Sequence, residues 1–324
     1  MDIRNSSIED FVKRLAEISE HDGTPYGRAH LLFDKEEEHE RACLQYKGYL
    51  ALSDAFKCFF LETVELSNAD EFKHTDLPSL SEYYSIYVPR ISHCFMSLCG
   101  AERVGIRGYP LQGCTILRNV FDNLVFVSAT LQGIADFRSI EGLRPGESLD
   151  FKAVKKLRKK TEHAVRRKMI GDESGLSQEA RDEITLLNEM YDLETHGARL
   201  SQTLALGWMK GKSALWVVPQ FEQAAFAMFM NRYCEVAWMA HRLFPAIQTP
   251  GASFPEAWNQ KWEVLDDSFA RTIESLTKSL GKNIGRAFVE FMHVKFPFTA
   301  KSSFPLGAQS TVTDSGGNCK DNSP

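Results

Sequence analysis

The chain has 324 residues, 43% hydrophobic and 25% charged, which is the balance of an ordinary soluble globular protein with enough apolar residues for a sizeable core. Its formal net charge is −5, so any attraction to a polyanion has to be local. The longest uncharged apolar stretch, Asn123 to Ala135, is too short to cross a bilayer, and the opening MDIRNSSIEDF has no apolar signal-like run; the expectation is a cytoplasmic protein with no membrane association.

In chain order, helical signals dominate. Ser6-Ser7-Ile8-Glu9, Ser79-Leu80-Ser81-Glu82 and Ser253-Phe254-Pro255-Glu256 have the form of capping boxes, in which a serine accepts from an orphan N–H and a glutamate three residues on reaches back. Leu52, Phe56, Phe59 and Thr63 share one face of a helix expected over about Lys35 to Ser67, and another is expected over Tyr83 to Leu98. Leu111 to Ile134 is apolar almost all round, the pattern of a helix in the middle of a bundle. Ser177 to about Leu206 and Phe221 to Leu243 read as two further long helices. Trp258, Trp262, Leu265, Phe269, Ile273, Leu276 and Leu280 recur at steps of three and four before Gly281, the clearest amphipathic helix of the chain.

No run of alternating strands competes with these elements. The expected fold is all-α, a multi-helix antiparallel bundle over residues 1–296 with an optional subdivision near 140–150. From Pro297 the chain turns to Ser, Thr, Gly, Pro and Asn, so 297–324 is expected to be a disordered tail. The seven cysteines are odd in number and irregular in spacing, as for reduced thiols rather than a disulfide framework. Cys94 and Cys99 with His93 lack zinc-site spacing, and Gly207 to Ser213 evokes a phosphate loop but has one residue too few between its glycines and no preceding strand. No metal or cofactor is expected.

Charge is segregated. FKAVKKLRKKTEHAVRRKM carries Lys152, Lys155, Lys156, Arg158, Lys159, Lys160, Arg166, Arg167 and Lys168 against the single acid Glu162. Such a stretch suits an acidic protein partner or a nucleic acid, RNA ahead of DNA, or else an acidic surface of the same chain, for which Asp34 to Glu40 is the candidate. Phe151, Val154, Leu157, Val165 and Met169 would anchor it in the bundle. No aromatic residues interleave with the cations, which argues against a stacking platform for single strands. Arg158 and His163 fit the loose arginine-to-histidine spacing of a ribonuclease site, but Arg14 and His21 fit it too. Matches at such loose spacing arise by chance.

Arg118 and Asp122 lie one turn apart on the apolar helix and can pair, either as a structural contact or as part of a pocket. His196 ends a helical run just before Gly197 and has the near-neutral reference pKa suited to proton transfer.

Two segments carry a resemblance. Gly113-Cys-Thr-Ile-Leu-Arg118-Asn-Val-Phe121-Asp122 is similar to a helix written small-x-x-Leu-Leu-Arg-x-x-Phe-Glu. Tyr191-Asp-Leu193-Glu194-Thr195-His196-Gly197-Ala198 is similar to Tyr-x-x-Leu-Ser-x-x-x-His-Gly/Pro-Ser. Both segments mark a large family of uncharacterised bacterial helical proteins grouped loosely with HEPN-like proteins of conflict and phage-defence systems. The chain resembles it over about residues 40–245, with Asp122 in place of Glu and a shortened Leu-to-His spacing. The resemblance implies a helical fold and promotes Arg118, Asp122 and His196 as a shared polar site: phosphate or transition-state charge, orienter and general acid/base. Two functions follow as expectations. One is a helical interaction module whose basic helix docks an acidic partner, as a monomer or a homodimer. The other is a HEPN-like ribonuclease or nucleic-acid-binding effector.

Overall fold

The computed structural model describes residues 13, 17, 30–67, 78–135, 151–195, 221, 223–247, 254–279 and 284–301. Among these, every regular element is helical: α1 (His30–Cys43), α2 (Lys47–Ser67), α3 (Pro78–Ile106), α4 (Pro110–Leu131), α5 (Phe151–Met169), α6 (Gln178–Thr195), α7 (Gln223–Leu243), α8 (Glu256–Ser279) and α9 (Ile284–Lys295), with short 3-10 turns at Leu44–Tyr46 and Phe244–Ile247. The all-α bundle expected from periodicity is what the chain forms.

Two helices organise the packing. α4 touches α3, α5, α6, α7 and α9, while α7 touches α2, α3, α4 and α8. Composition explains both positions. Thirteen residues of α4 are buried, including Leu117, Phe121, Leu124 and Val127, and in α7 every residue from Arg232 to Leu243 is buried. A helix buried around most of its circumference has to be surrounded. The apolar cluster is continuous from Cys43 through Phe56, Trp238 and Trp258 to Ala300. It includes Val165 and Ile184, so α5 and α6 share it with the elements before residue 136. The segment 140–150, where a subdivision was expected, lies outside the described residues.

α3 and α4 form a tight pair joined by Arg107–Tyr109. Gly108 takes φ 101°, a backbone conformation that a side chain disfavours, and Pro110 opens α4 where its missing N–H has no helical partner to lose. Two glycines let α7 approach this pair. A Cβ at Gly105 would stand 2.2 Å from the Phe229 ring, and one at Gly113 would stand 2.5 Å from it. The ring is fully buried and held between the two helices, so it has no room to yield. Gly105→Ala should therefore destabilise by about 1–3 kcal/mol through overpacking, although alanine is the better helix former. Gly100→Ala, where nothing lies within 4 Å, should instead stabilise by about 0.5–1 kcal/mol. Urea unfolding of the two variants checks the opposite signs.

Several expectations need correction. The single helix over Lys35 to Ser67 is two, because Leu44–Tyr46 tightens to a 3-10 turn. α3 begins at Pro78, which puts Ser79 inside the first turn rather than at the cap. The Pro255 carbonyl accepts from the N–H groups of Trp258 and Asn259 at the start of α8; Ser253 and the box at Ser6 lie outside the described residues. α9 was not anticipated. Nor does the core stop at residue 296: Phe298 and Ala300, at the head of the expected tail, are buried, while 302–324 lies outside the described residues. The expected helix over Ser177 to Leu206 is described only to Thr195.

No helix among the described residues is long and apolar enough to cross a membrane.

Candidate functional site: a polar cleft beside the basic helix

Arg118 sits on the side of α4 turned toward α5 and α6. Its residue is 8% exposed, yet its guanidinium is well served. Nη1 lies 3.0 Å from Asp122 Oδ1 one turn on and donates to Asn188 Oδ1 of α6 at 2.5 Å. Its Cζ stands 5.9 Å from the Phe121 ring centroid, within cation–π range. The pair straddles the surface, with the arginine side chain 10% exposed and the Asp122 side chain 59% exposed. Charge-assisted bonds of this kind fix the plane of a guanidinium, which a single lysine would not achieve.

Over this pair opens a cleft of about 420 Å³. α3 contributes Arg90, α4 contributes Arg118 and Asp122, α5 contributes Glu162 and Arg166, and α6 contributes Asn188. Three arginines therefore face two carboxylates. The apolar part of the wall comes from Val125, Phe126 and Ile170, and the Arg90 guanidinium lies 5.9 Å from the Phe126 ring centroid. The Arg118–Asp122 pairing expected from their spacing is present, and it lines a pocket. His196, the third member of the expected site, lies outside the described residues. Arg90, Asn188 and Arg166 were not assigned to the site. Arg166 belonged to the basic stretch, but nothing in the sequence pairs Arg90 or Asn188 with Arg118.

α5 is the basic helix. Val165 and Met169 are buried, and the expected anchoring in the bundle holds at these two positions. The side chains of Phe151, Val154, Leu157, Lys155 and Arg158 lie outside the described residues. Lys152, Lys156, Lys159, Lys160, Arg166, Arg167 and Lys168 are all exposed. His163 is exposed as well, so the local arginine-to-histidine spacing places that ring in solvent. The C-terminus of α5 is secured from α9: Lys295, itself buried, donates from Nζ to the Lys168 carbonyl at 2.7 Å. Arg166, Arg167 and Lys168 put further positive charge at this negative helix end. Arg167 also pairs with Glu173 at 3.3 Å.

The acidic run Asp34–Glu40 is engaged elsewhere. Glu40 lies 3.2 Å and Glu36 3.9 Å from the Arg107 guanidinium, and Glu36 accepts from the Tyr109 hydroxyl at 2.8 Å. These contacts tie α1 to the α3–α4 turn, where His39 Nδ1 also donates to the Ile106 carbonyl at 2.7 Å. Glu36 and Glu40 serve that turn, while Glu37 pairs with Arg41 and Glu38 with Lys35 on α1 itself.

Among the described residues no three His, Cys, Asp or Glu side chains are placed to hold a metal ion. Cys43, Cys94, Cys114 and Cys234 are buried free thiols, and burial pushes Cys94 up to about 12, far from thiolate chemistry at neutral pH. The described lining of the cleft carries permanent cations, carboxylates and amides, a set suited to gripping an anion. Comparison with protein families, with curated proteins and with solved structures finds no match.

Proposed function

We propose that this protein is a cytoplasmic helical interaction module that docks an acidic protein partner along the exposed face of α5. The observation supporting this reading is the outward display of the cations: seven described Lys and Arg side chains of α5 are exposed while Val165 and Met169 hold the helix to the core. A cationic ridge on a chain of net charge −5 raises the encounter rate with an acidic surface and lowers it with like-charged ones.

The test is titration of the protein with a labelled poly-glutamate peptide. Binding should be measurable at low salt and fall steeply between about 50 and about 300 mM NaCl. Lys156→Glu/Lys159→Glu/Lys160→Glu should weaken it at least about tenfold, roughly 1.4 kcal/mol, without changing the circular dichroism spectrum. Binding unaffected by this reversal would remove the reading. Light scattering during the titration separates a second copy of the chain from the peptide as occupant.

The second reading, a HEPN-like ribonuclease or nucleic-acid-binding effector, is favoured by the Arg118 cleft opening beside the basic helix. It requires RNA binding with a steep salt dependence and cleavage lost in Arg118→Gln. RNA binding without cleavage would leave only the binding half of this reading.

A further inference from the structure

We infer that the cleft between α3, α4, α5 and α6 is a binding site for a small sugar phosphate, its phosphate held between Arg118 and Arg166. The inference is independent of what docks on α5.

Three features carry it. The first is size: about 420 Å³ falls within the range of pockets that enclose metabolite-sized ligands, roughly 300–1,000 Å³, and exceeds what a lone ion would occupy. The second is that arginines from three separate helices, Arg90, Arg118 and Arg166, line one concavity. Arg118 is largely buried and oriented through Asp122 and Asn188, while Arg166 reaches the same space from α5 with an exposed side chain. A preorganised guanidinium with a second arginine lining the same cleft suits the tetrahedral oxygens of a phosphate, which accept from several directions. The third is the remaining polar lining. Asn119 and Asn123 line the cleft beside Asn188; Asn123 Nδ2 donates to the Asn119 carbonyl and Asn188 Oδ1 accepts from Arg118, so Asn123 Oδ1 and Asn188 Nδ2 are the amide groups left to meet sugar hydroxyls.

The carboxylates make the proposal selective. Asp122 and Glu162 face the same space, so the arginines leave a surplus of one positive charge in the described lining. A dianionic phosphate shares Arg118 with Asp122 and meets the repulsion of that carboxylate. Removing the Asp122 charge should therefore favour the ligand, whereas a diffuse attraction to the lysines of α5 would scarcely register it.

The experiment is calorimetric titration of the full chain with ribose 5-phosphate, with inorganic phosphate and free ribose as separate arms. Ribose 5-phosphate should bind, phosphate alone more weakly, and ribose not at all. Arg166→Gln, a surface change that leaves the core intact, should weaken binding at least about tenfold, the loss of one charged contact. Asp122→Asn should tighten it about threefold or more, since a competing carboxylate disappears. Lys159→Gln/Lys160→Gln should leave it unchanged. No heat with ribose 5-phosphate at concentrations up to about 10 mM, where even contacts of a few kcal/mol register, would overturn the assignment. So would equal weakening by Arg166→Gln and Lys159→Gln/Lys160→Gln, which would mark a delocalised surface attraction. Loss of poly-glutamate docking with retained sugar-phosphate binding would count against the docking reading alone.

Discussion

Asp266→Ala is expected to lower the unfolding free energy by about 3–5 kcal/mol, a large share of the stability of an ordinary domain. Asp266 of α8 closes the junction of α7, α8 and the chain after α9. Its Oδ1 accepts from Trp238 Nε1 at 2.6 Å and from Arg242 Nε at 2.8 Å, and its Oδ2 accepts from Arg242 Nη2 at 2.6 Å. The fork is bidentate, and Arg242 is only 5% exposed. The guanidinium lies between Trp238 and Trp262, its Cζ 5.4 and 5.9 Å from their ring centroids, and Nη1 donates to the Phe296 carbonyl at 3.2 Å. Deleting the carboxylate strands a buried cation and an indole N–H together, and the remaining carbonyl cannot compensate for both. Lys261–Glu62 links α8 to α2 at 2.7 Å but is solvent-exposed, so Lys261→Ala should cost under about 1 kcal/mol. Guanidinium unfolding of the two variants reads the contrast directly. Arg242→Met/Asp266→Ala should recover part of the loss, because the stranded charge goes with its partner. Equal effects of Asp266→Ala and Lys261→Ala would show that the buried fork contributes no more than a surface pair.

The ion pairs also show how far local pattern carries. Arg118–Asp122 lies within one helix at a spacing of four, and that spacing is visible in sequence. Arg242–Asp266 joins two helices, as does Arg118–Asn188, and no local spacing encodes either. The same division runs through the fold. α8 was readable because Trp258 through Ile273 form one apolar stripe, and these residues are buried as the stripe predicts. The break at Leu44–Tyr46 was not readable for a physical reason: Cys43 and Lys47 on its flanks keep right-handed helical dihedrals, so the hydrogen-bond register changes with no Gly or Pro between them to mark it. α9 carries its own signal in Ala287, Phe288, Phe291 and Met292, all buried, but this 12-residue helix sits between the Gly281 stop and the Ser- and Pro-rich end. Exposure of the α5 cations could not be read from their charge alone. It depends on which face α5 turns to the core, the one that buries Val165 and Met169, a tertiary fact.

His241 should make the fold acid-sensitive well above the carboxylate range. The ring is fully buried among Phe59, Phe244, Trp262 and Phe269, stacked on Trp262 with centroids 5.0 Å apart. Nε2 lies 3.1 Å from the Trp262 carbonyl, which can only accept, so Nε2 carries the proton; Nδ1 is buried without a hydrogen-bond partner. Burial is the main cause that drives the histidine down to about 4; neighbouring Arg242 adds to the effect, while Asp266 and the Trp262 carbonyl oppose it. An unfolded chain takes up this proton near pH 6.5, the folded one only near 4, so the unfolded state gains on acidification. The contribution is complete above about pH 6.5 and is lost progressively toward about pH 4, amounting to about 3 kcal/mol over the whole interval. His39 and His293 are also lowered by burial and act with the same sign, whereas the buried Glu235, raised by burial, acts against them. The His241 share is isolated by His241→Gln, whose amide can still donate to the Trp262 carbonyl but does not titrate. Urea unfolding of both proteins at about pH 7 and about pH 5 should show a steep loss in the parent chain and a shallower one in the variant, the difference being one proton taken up by the unfolded state. Parallel losses in the two proteins would place the acid sensitivity in other groups and leave His241 a packing residue alone.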